Sequence, residues 1–402
     1  MSPRSNNDTD GEEDQAGDAL QSVSTRSERT ADKRSPPTNS TISGQPKTKR
    51  KRKRNSTEER LAKMRRNKIE RYPFFTVHSS FPSEVQCYYF YHPHPDPATI
   101  EKATNELLET HRLLNAPVTT LPPRGNILIP CDRGDPSPKY FLARLSGLLT
   151  RDHQDRILCA MDKARDIDCK PFTDPSYFHL GISLLPSEAS TPRITDDLLQ
   201  PHEDEKILHE RQSVMVELSR AIDSVANGRV QRGMSEIDNV TCQKQRSVMR
   251  ELRSALEDGT ISTQGIIDNT SLPLGLRFGN IATCATINLS KTDAERDKLN
   301  LATNHDSGLY TTLMILRSGD DEEERDDRPQ EMLELKTLGL EVPLFAGDVV
   351  LLQSSVIPHR MRPVGEKKRE NGAIVTLYNC AHTLAYLRRR EGERGDVKEA
   401  AL

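Results

Sequence analysis

Tryptophan is absent from this 402-residue sequence, and aromatic residues make up only 4% of it. Hydrophobic residues amount to 34%, which is low for a chain that folds along its whole length. The apolar material must therefore be concentrated in part of the chain if a core is to form. A chain of this length has room for one large domain or two ordinary ones beside the polar remainder.

Paired cysteines and long apolar runs are missing as well. The seven cysteines include no CxxC pair and their number is odd, which predicts free thiols in a reducing compartment. No apolar run approaches the roughly 18 residues of a membrane span, and the first residues, MSPRSNNDTDGEEDQ, lack the apolar core of a secretory signal. We therefore expect a soluble, intracellular protein without a membrane partner.

Charge is nearly balanced overall, with 57 basic and 60 acidic residues, but it is segregated along the chain. Residues 1–46 are polar and contain almost no large apolar side chain, which predicts disorder. The basic segment KTKRKRKRNSTEERLAKMRRNKIER follows, from Lys47 to Arg71. Such a segment is typical of a nuclear-import signal, a nucleic-acid-binding arm or a solvated linker.

We predict that residues 1–71 are a disordered, nuclear-localisation-like segment that brings the protein to the nucleus through the import machinery. A basic-zipper interpretation is disfavoured, because no leucine heptads follow the basic segment. The candidate import residues form one unbroken block: Lys49, Arg50, Lys51, Arg52, Lys53 and Arg54.

Residues 72–270 are predicted to be a mixed and then helical region that supports the core. Composition predicts helices over 98–114 and 152–165, and a Pro-, Ser- and acid-rich loop over 182–205. Apolar residues at spacings of three, four and seven predict a helix from Leu208 to Val225, which Asn227-Gly228 should end. A second helix around Val248 to Leu256 should end at Gly259.

The pattern changes after residue 271 to short runs rich in β-branched residues, separated by turns. Short strands at a spacing of about ten residues predict an antiparallel sandwich or barrel. Within this region, Asn304-His305-Asp306 precedes an apolar run, and His359 follows another one. A non-haem iron that activates oxygen needs two histidines and one carboxylate on one side of the metal. Residues two apart in a strand face the same way, so an HxD pair with a later histidine can supply that set.

The last hundred residues carry a more specific pattern. Counting from Asp306, the order is Leu338-Gly339-Leu340, Pro343, Gly347-Asp348-Val349-Val350, Ser354 and His359. This order and spacing resembles the double-stranded β-helix (jelly-roll) of the Fe(II)/2-oxoglutarate-dependent dioxygenases, and within it the fungal Tet and J-binding-protein-like group. The resemblance covers roughly residues 300–382. It implies an α+β fold in which residues 271–390 form the β-helix, flanked by helices.

The resemblance implies Fe(II) and 2-oxoglutarate as cofactors, with Asp306 and His359 as iron ligands. His305 is the candidate third ligand, or position 304 if the HxD register is strict, where this chain has Asn304 instead of histidine. Arg369, with Lys368 beside it, would bind the far carboxylate of 2-oxoglutarate. The implied reaction is hydroxylation of a nuclear substrate, either a nucleic-acid base or a protein side chain.

Asn304 keeps a second hypothesis open. A catalytically inactive protein associated with nucleic acid or chromatin would retain the β-fold as a binding scaffold. Neither the substrate nor the oligomeric state is predicted by the sequence.

Overall fold

The computed structural model describes residues 74–78, 86–90, 102, 104–107, 118–131, 138–172, 174–184, 191–261, 263, 278–288, 299–317, 329–364 and 372–399. All of them belong to one compact unit, Ser56–Leu402. The predicted import block Lys49 to Arg54, the candidate cofactor residues Lys368 and Arg369, and most of the helix predicted over 98–114 lie outside the described residues.

Strands dominate the two ends of the described chain. Their bounds are β1 Phe74–His78, β2 Gln86–Phe90, β3 Thr119–Thr120, β4 Asn126–Pro130, β5 Tyr140–Leu145, β6 Tyr177–Ser183, β7 Arg193–Ile194, β8 Cys284–Asn288, β9 Thr311–Arg317, β10 Glu331–Leu335, β11 Leu340–Leu344, β12 Val349–Leu352, β13 Arg360–Pro363 and β14 Gly372–Tyr378.

Helices fill the middle and close the chain. Their bounds are α1 Arg151–Asp166, α2 Asp196–Leu199, α3 Glu205–Val225, a π-helical segment Ala226–Val230, α4 Gln231–Ile237, α5 Asn239–Glu257, a single turn α6 Phe278–Ile281, a 3-10 turn Lys336–Leu338 and α7 Ala381–Glu399. None of the helices that the structure describes is long and apolar enough to cross a bilayer.

The strands form two sheets. The large sheet has the order β1-β2-β4-β5-β12-β9-β14-β8-β6-β7, and the small sheet has the order β13-β10-β11-β3. From β9 onward the strands alternate between the sheets: β9, β12 and β14 belong to the large sheet, and β10, β11 and β13 belong to the small sheet. The two sheets are therefore built from interleaved strands. This is the double-stranded β-helix, and the α+β prediction with a C-terminal jelly-roll is confirmed. Strands β4, β5 and β6, from the preceding region, extend the large sheet on both sides.

Alternation along β9 separates two cores, since successive side chains of a strand point to opposite faces. Leu313 and Ile315 pack between the two sheets with residues of β10, β11 and β12. Met314 and Leu316 pack on the other face of the large sheet, against the helices. A strand that is apolar on both faces is therefore buried on both faces, as the unbroken apolar run of β9 predicts.

The helix predicted over 152–165 is confirmed as α1, and the second amphipathic helix is confirmed as α5. The predicted stop at Asn227-Gly228 is wrong, because helical structure continues through the π-helical segment into α4. Glycine costs a helix about 1 kcal/mol. Full burial of Val230 and Met234 on the core side contributes about 1.5 to 3 kcal/mol each, which outweighs that cost.

The loop predicted over 182–205 is only partly correct. Short elements β7 and α2 lie within it, and they bury Ile194 and Leu198 in the helix-side core. The carboxylate of Asp197 accepts hydrogen bonds from the backbone N–H groups of Phe172 and His179. Tertiary contacts therefore order a segment whose composition is typical of a loop.

Candidate functional site: the polar end of the β-helix

One end of the β-helix brings together the chain segments that sequence analysis singled out. Thr311, the first residue of β9, pairs with Leu352, the last residue of β12. Cys284, the first residue of β8, pairs with Tyr378, the last residue of β14. The segment that contains Asn304 to Asp306 enters β9 at this same end. We use the term polar end for five residues: His305, Thr311, Ser354, Tyr378 and His179.

His305 lies at the centre of the polar end. Its Nδ1 is 2.9 Å from Thr311 Oγ1 and 2.8 Å from Ser354 Oγ, and these two hydroxyls are 2.6 Å apart. Its ring stacks on Tyr378, with ring centroids 3.9 Å apart and an interplanar angle of 20°. The imidazole is therefore fixed by hydrogen bonds along one edge and by an aromatic ring on one face.

Tyr378 links His305 to a second histidine. The hydroxyl of Tyr378 is 2.8 Å from Nε2 of His179, which belongs to β6. Burial raises the pKa of Tyr378 well above its ordinary value, so the phenol keeps its proton. The row from His305 through Tyr378 to His179 therefore stays uncharged at neutral pH.

Burial also keeps the histidines of this end neutral. Desolvation lowers the pKa of His305 to about 3, and positive charge on His359 or His179 would lower it further. Desolvation lowers the pKa of His179 to about 4. An uncharged imidazole keeps a lone pair, and this is the form that binds a metal or accepts a hydrogen bond.

His359 lies in a similar environment. It precedes β13, is 7% exposed, and its backbone exchanges two hydrogen bonds with Asn300. Nδ1 is 3.1 Å from the carbonyl oxygen of Ile357, which can only accept, so Nδ1 carries the proton. Burial lowers the pKa of His359, and the neutral ring therefore has its lone pair on Nε2.

Asp306 is engaged away from these rings. Oδ1 accepts a hydrogen bond from the backbone N–H of Gly308 at 2.8 Å, which makes a local turn before β9. Oδ2 lies 3.2 Å from the guanidinium of Arg388 on α7. The neighbouring Asn304 is exposed, and its carbonyl oxygen accepts a hydrogen bond from the N–H of Ala381. Both oxygens of the candidate carboxylate ligand thus have partners within the chain.

The Gly347-Asp348 turn, the most specific part of the sequence pattern, has a structural explanation. Gly347 has φ +85°, and a Cβ there would meet the carbonyl oxygen of Leu149 at 2.5 Å. The carboxylate of Asp348 accepts hydrogen bonds from the N–H groups of Gly147 at 2.8 Å and Phe345 at 3.0 Å. These residues shape the entry to β12 and lie at the end opposite to His305.

Arg360 and Arg362, the basic residues beside His359, belong to an ion-pair network on the small sheet. Arg360 donates to Glu334 at 2.6 and 2.9 Å, while Arg362 contacts Glu334 and Glu341. Burial alone would raise the pKa of Glu334, but the hydrogen bond and the charge of Arg360 bring it below the ordinary value. These two arginines therefore join β13 to β10 and β11.

Comparison with known proteins gives a distant structural likeness. No family model matches the chain, and no curated protein matches it. Among solved structures, the chain is similar to NgTET1 in complex with 5mC DNA. The sequence identity is 13% and the TM-score 0.39, over 71% of this chain and 89% of that one.

The residues present do not fit the three-ligand iron site that the resemblance implies. In the ranges that the structure describes, no three His, Cys, Asp or Glu side chains are grouped so that they could hold a metal ion. The Nδ1 of His305 faces Thr311 and Ser354, so only its Nε2 could bind a metal, and both oxygens of Asp306 already contact Gly308 and Arg388. The assignment of Asp306, His359 and His305 as ligands stays a prediction.

Sequence reasoning missed His179, Tyr378 and Thr311. The signal was available in part, because in β9 and β14 the residues that share the inner face with Leu313 and Ile374 become polar toward this end of the strands. His179 could not be found in this way, since β6 joins the sheet beyond β8 and no motif connects it to the last hundred residues.

Proposed function

We propose that the protein is a nuclear protein with an oxygenase-type β-fold that acts by binding, with nucleic acid as its partner, rather than by iron-dependent oxidation. The observation that carries this proposal is the position of Asp306. Its carboxylate is held by Gly308 and Arg388, and position 304 offers an amide where the HxD pattern needs an imidazole. An iron site in the HxD register would compete with Arg388 for Oδ2 of Asp306 and would lack the imidazole at position 304.

Support for nucleic acid as the partner comes from the sequence. The segment from Lys47 to Arg71 has the charge density of a segment that follows a phosphate backbone, and its block Lys49 to Arg54 has the composition of an import signal. Deleting that block should abolish nuclear accumulation, and unchanged localisation would remove the nuclear part of the proposal.

Iron dependence is tested with the full chain, Fe(II), 2-oxoglutarate, oxygen and a methylated duplex. We expect succinate production no greater than that of the double variant His305→Ala/His359→Ala, because Asp306 has both carboxylate oxygens engaged elsewhere. Succinate production is also measured for the Asn304→His variant, which places a histidine two residues before Asp306 and so restores the HxD spacing. Succinate production by the wild type that the double variant abolishes would overturn the proposal.

A second candidate function is Fe(II)/2-oxoglutarate-dependent hydroxylation of a nucleic-acid base or a protein side chain. The observation that favours it is His359, whose Nδ1–H···O=C bond to Ile357 leaves Nε2 as the lone-pair nitrogen. Metal-binding histidines commonly show this arrangement. Under this hypothesis Arg369, with Lys368, would bind 2-oxoglutarate, and a base in a duplex would have to be flipped out. Increased iron affinity of Asn304→His would indicate that position 304 faces such a site.

A further inference from the structure

Helix α5 has one buried and one exposed face. Its buried face packs against the core and includes Cys242, Gln245, Val248, Met249 and Leu252. The exposed face carries Gln243, Arg246, Arg250 and Arg253 at spacings of three and four, which places them in one row along the helix. We call Arg246, Arg250 and Arg253 the arginine face.

This face borders a cleft of about 180 Å³, which is lined by Gln243, Arg246, Met249, Arg250, Arg253 and Asn280. Met249 is 4% exposed and belongs to the helix-side core. Asn280 comes from the α6 turn, where its φ is +55°, and its Nδ2 donates to Asn227 Oδ1 at 3.1 Å. Arginines and carboxamides therefore bound the cleft, and the lining side chains that the structure describes include no acidic one.

Two of the arginines have no counter-charge among the described residues. Arg253 donates to Glu257 at 2.7 Å, one turn further along the helix. Arg246 and Arg250 have no hydrogen-bond or ion-pair partner among the residues that the structure describes. Like charges four residues apart on a helix cost a few tenths of a kcal/mol, so an anion between them would relieve a repulsion that is built into the free protein.

The geometry suits a row of phosphates. At about 1.5 Å per residue, Arg246 and Arg250 are about 6 Å apart along the helix axis and Arg246 and Arg253 about 10.5 Å. Successive phosphates of one duplex strand rise about 3.4 Å along the duplex axis, so a row of this length can meet more than one phosphate of a strand. Guanidinium groups bind phosphate oxygens in a bidentate manner, and carboxamide groups donate single hydrogen bonds.

The lining also indicates which part of a nucleic acid is contacted. Proteins that hold unpaired bases stack them on aromatic side chains, and the six described residues that line this cleft include no aromatic one. Recognition of base edges would need side chains that reach past the phosphate backbone into a groove of the duplex. A polar and cationic surface is complementary to the phosphodiester backbone.

We infer that the arginine face of α5 contacts the phosphodiester backbone of a nucleic-acid duplex. This inference rests on the proposed nucleic-acid partner and assigns a folded surface to it, in addition to the basic N-terminal segment. Phosphate contacts of this kind position a protein on a duplex and carry no sequence preference.

The test compares two double variants of the full chain. Arg246→Gln/Arg250→Gln removes the unpaired cations. Arg156→Gln/Arg220→Gln removes the same charge from exposed positions on α1 and α3 and is the matched control. Affinity for a short duplex is measured between about 50 and about 200 mM salt. We expect the slope of log K against log salt to fall by about 2 in the first variant, about 1 per phosphate contact, and to stay unchanged in the control.

Rescue and competition complete the design. Arg246→Lys/Arg250→Lys keeps the charges and should keep most of the salt dependence, which separates charge from a folding defect. Equal slopes in both glutamine variants would overturn the arginine face as a contact surface while leaving nucleic-acid binding intact.

Absence of duplex binding by the wild type would overturn the proposed partner and this inference together. Displacement of the duplex by an equal phosphate concentration of pyrophosphate would assign the cleft to a free phosphate ligand and overturn the duplex as its occupant.

Discussion

The two ends of the β-helix interior are made from different chemistry. Toward one end, Ile127, Ile315 and Val350 pack in an apolar core, and the guanidinium of Arg144 enters it from β5. Toward the polar end, the side chains of His305, Thr311, Ser354 and Tyr378 satisfy one another through hydrogen bonds and stacking. The first arrangement is apolar around one buried guanidinium, and the second is an uncharged polar cluster.

The difference explains why the sequence resemblance is informative about fold and much less so about chemistry. Gly347 and Asp348, its most specific elements, make backbone contacts at the entry to β12. Gly339 has φ +64°, which a turn between the 3-10 segment and β11 requires. Residues of this kind specify turns, and a chain can retain them whether or not it binds iron.

The largest expected effect is at the apolar end. Arg144 is fully buried, and its guanidinium donates to the carbonyl oxygens of Pro343 at 2.6 Å, Gly125 at 2.7 Å and Pro122 at 3.0 Å. Arg144→Met would leave these acceptors without a donor, at a cost of about 1 to 3 kcal/mol for each buried one. We expect the free energy of unfolding, measured in urea, to fall by about 3 kcal/mol or more.

Arg156→Met is the control for this substitution, because Arg156 is exposed on α1 and donates to the hydroxyl of Ser224. Its effect should stay within about 0.5 kcal/mol. Similar losses in both variants would mean that Arg144 does not join the two sheets in the way that its contacts indicate.

A smaller effect is expected from acid at the polar end. The pKa of His305 is about 3 in the folded protein, against about 6.5 in an unfolded chain. As pH falls below about 6.5, His305 becomes protonated in the unfolded chain but stays neutral in the folded protein. The stability that the neutral His305 contributes is therefore present above that pH and is lost progressively toward about pH 3. His305 alone should lower the free energy of unfolding by about 2 kcal/mol between about pH 7 and about pH 5.

His305→Gln isolates this contribution. Between about pH 7 and about pH 5, the free energy of unfolding of the variant should fall by about 2 kcal/mol less than that of the wild type. Urea unfolding at both pH values measures this difference. His209→Gln, an exposed position on α3, controls for the removal of a histidine as such. Identical pH dependence in the wild type and His305→Gln would place His305 in contact with solvent.

Much of the fold follows from local pattern, and the candidate site follows from it only in part. The apolar run of β9 and the spacing of Leu218 and Ile222 predict their elements because periodicity reports which face is buried. The resemblance implies Asp306 as a ligand in an HxD register, in which residues two apart in an extended strand share one face. The chain instead turns at Gly308, and α7 supplies Arg388 from 82 residues away, a contact that no local pattern predicts.

The smallest expected effect concerns the ion pair at the rim of the polar end. Arg388 is 62% exposed while Asp306 is 11% exposed, and an ion pair with one solvated partner contributes less than about 1 kcal/mol. Arg388→Gln should therefore change the free energy of unfolding by less than that amount, with Arg389→Gln as the neighbouring control. Because Gly308 still holds Oδ1, freeing Oδ2 should not create an iron site, and titration of the variant with Fe(II) checks this. Tight Fe(II) binding by Arg388→Gln, absent in the wild type, would show that one surface ion pair is all that separates this polar end from a metal centre.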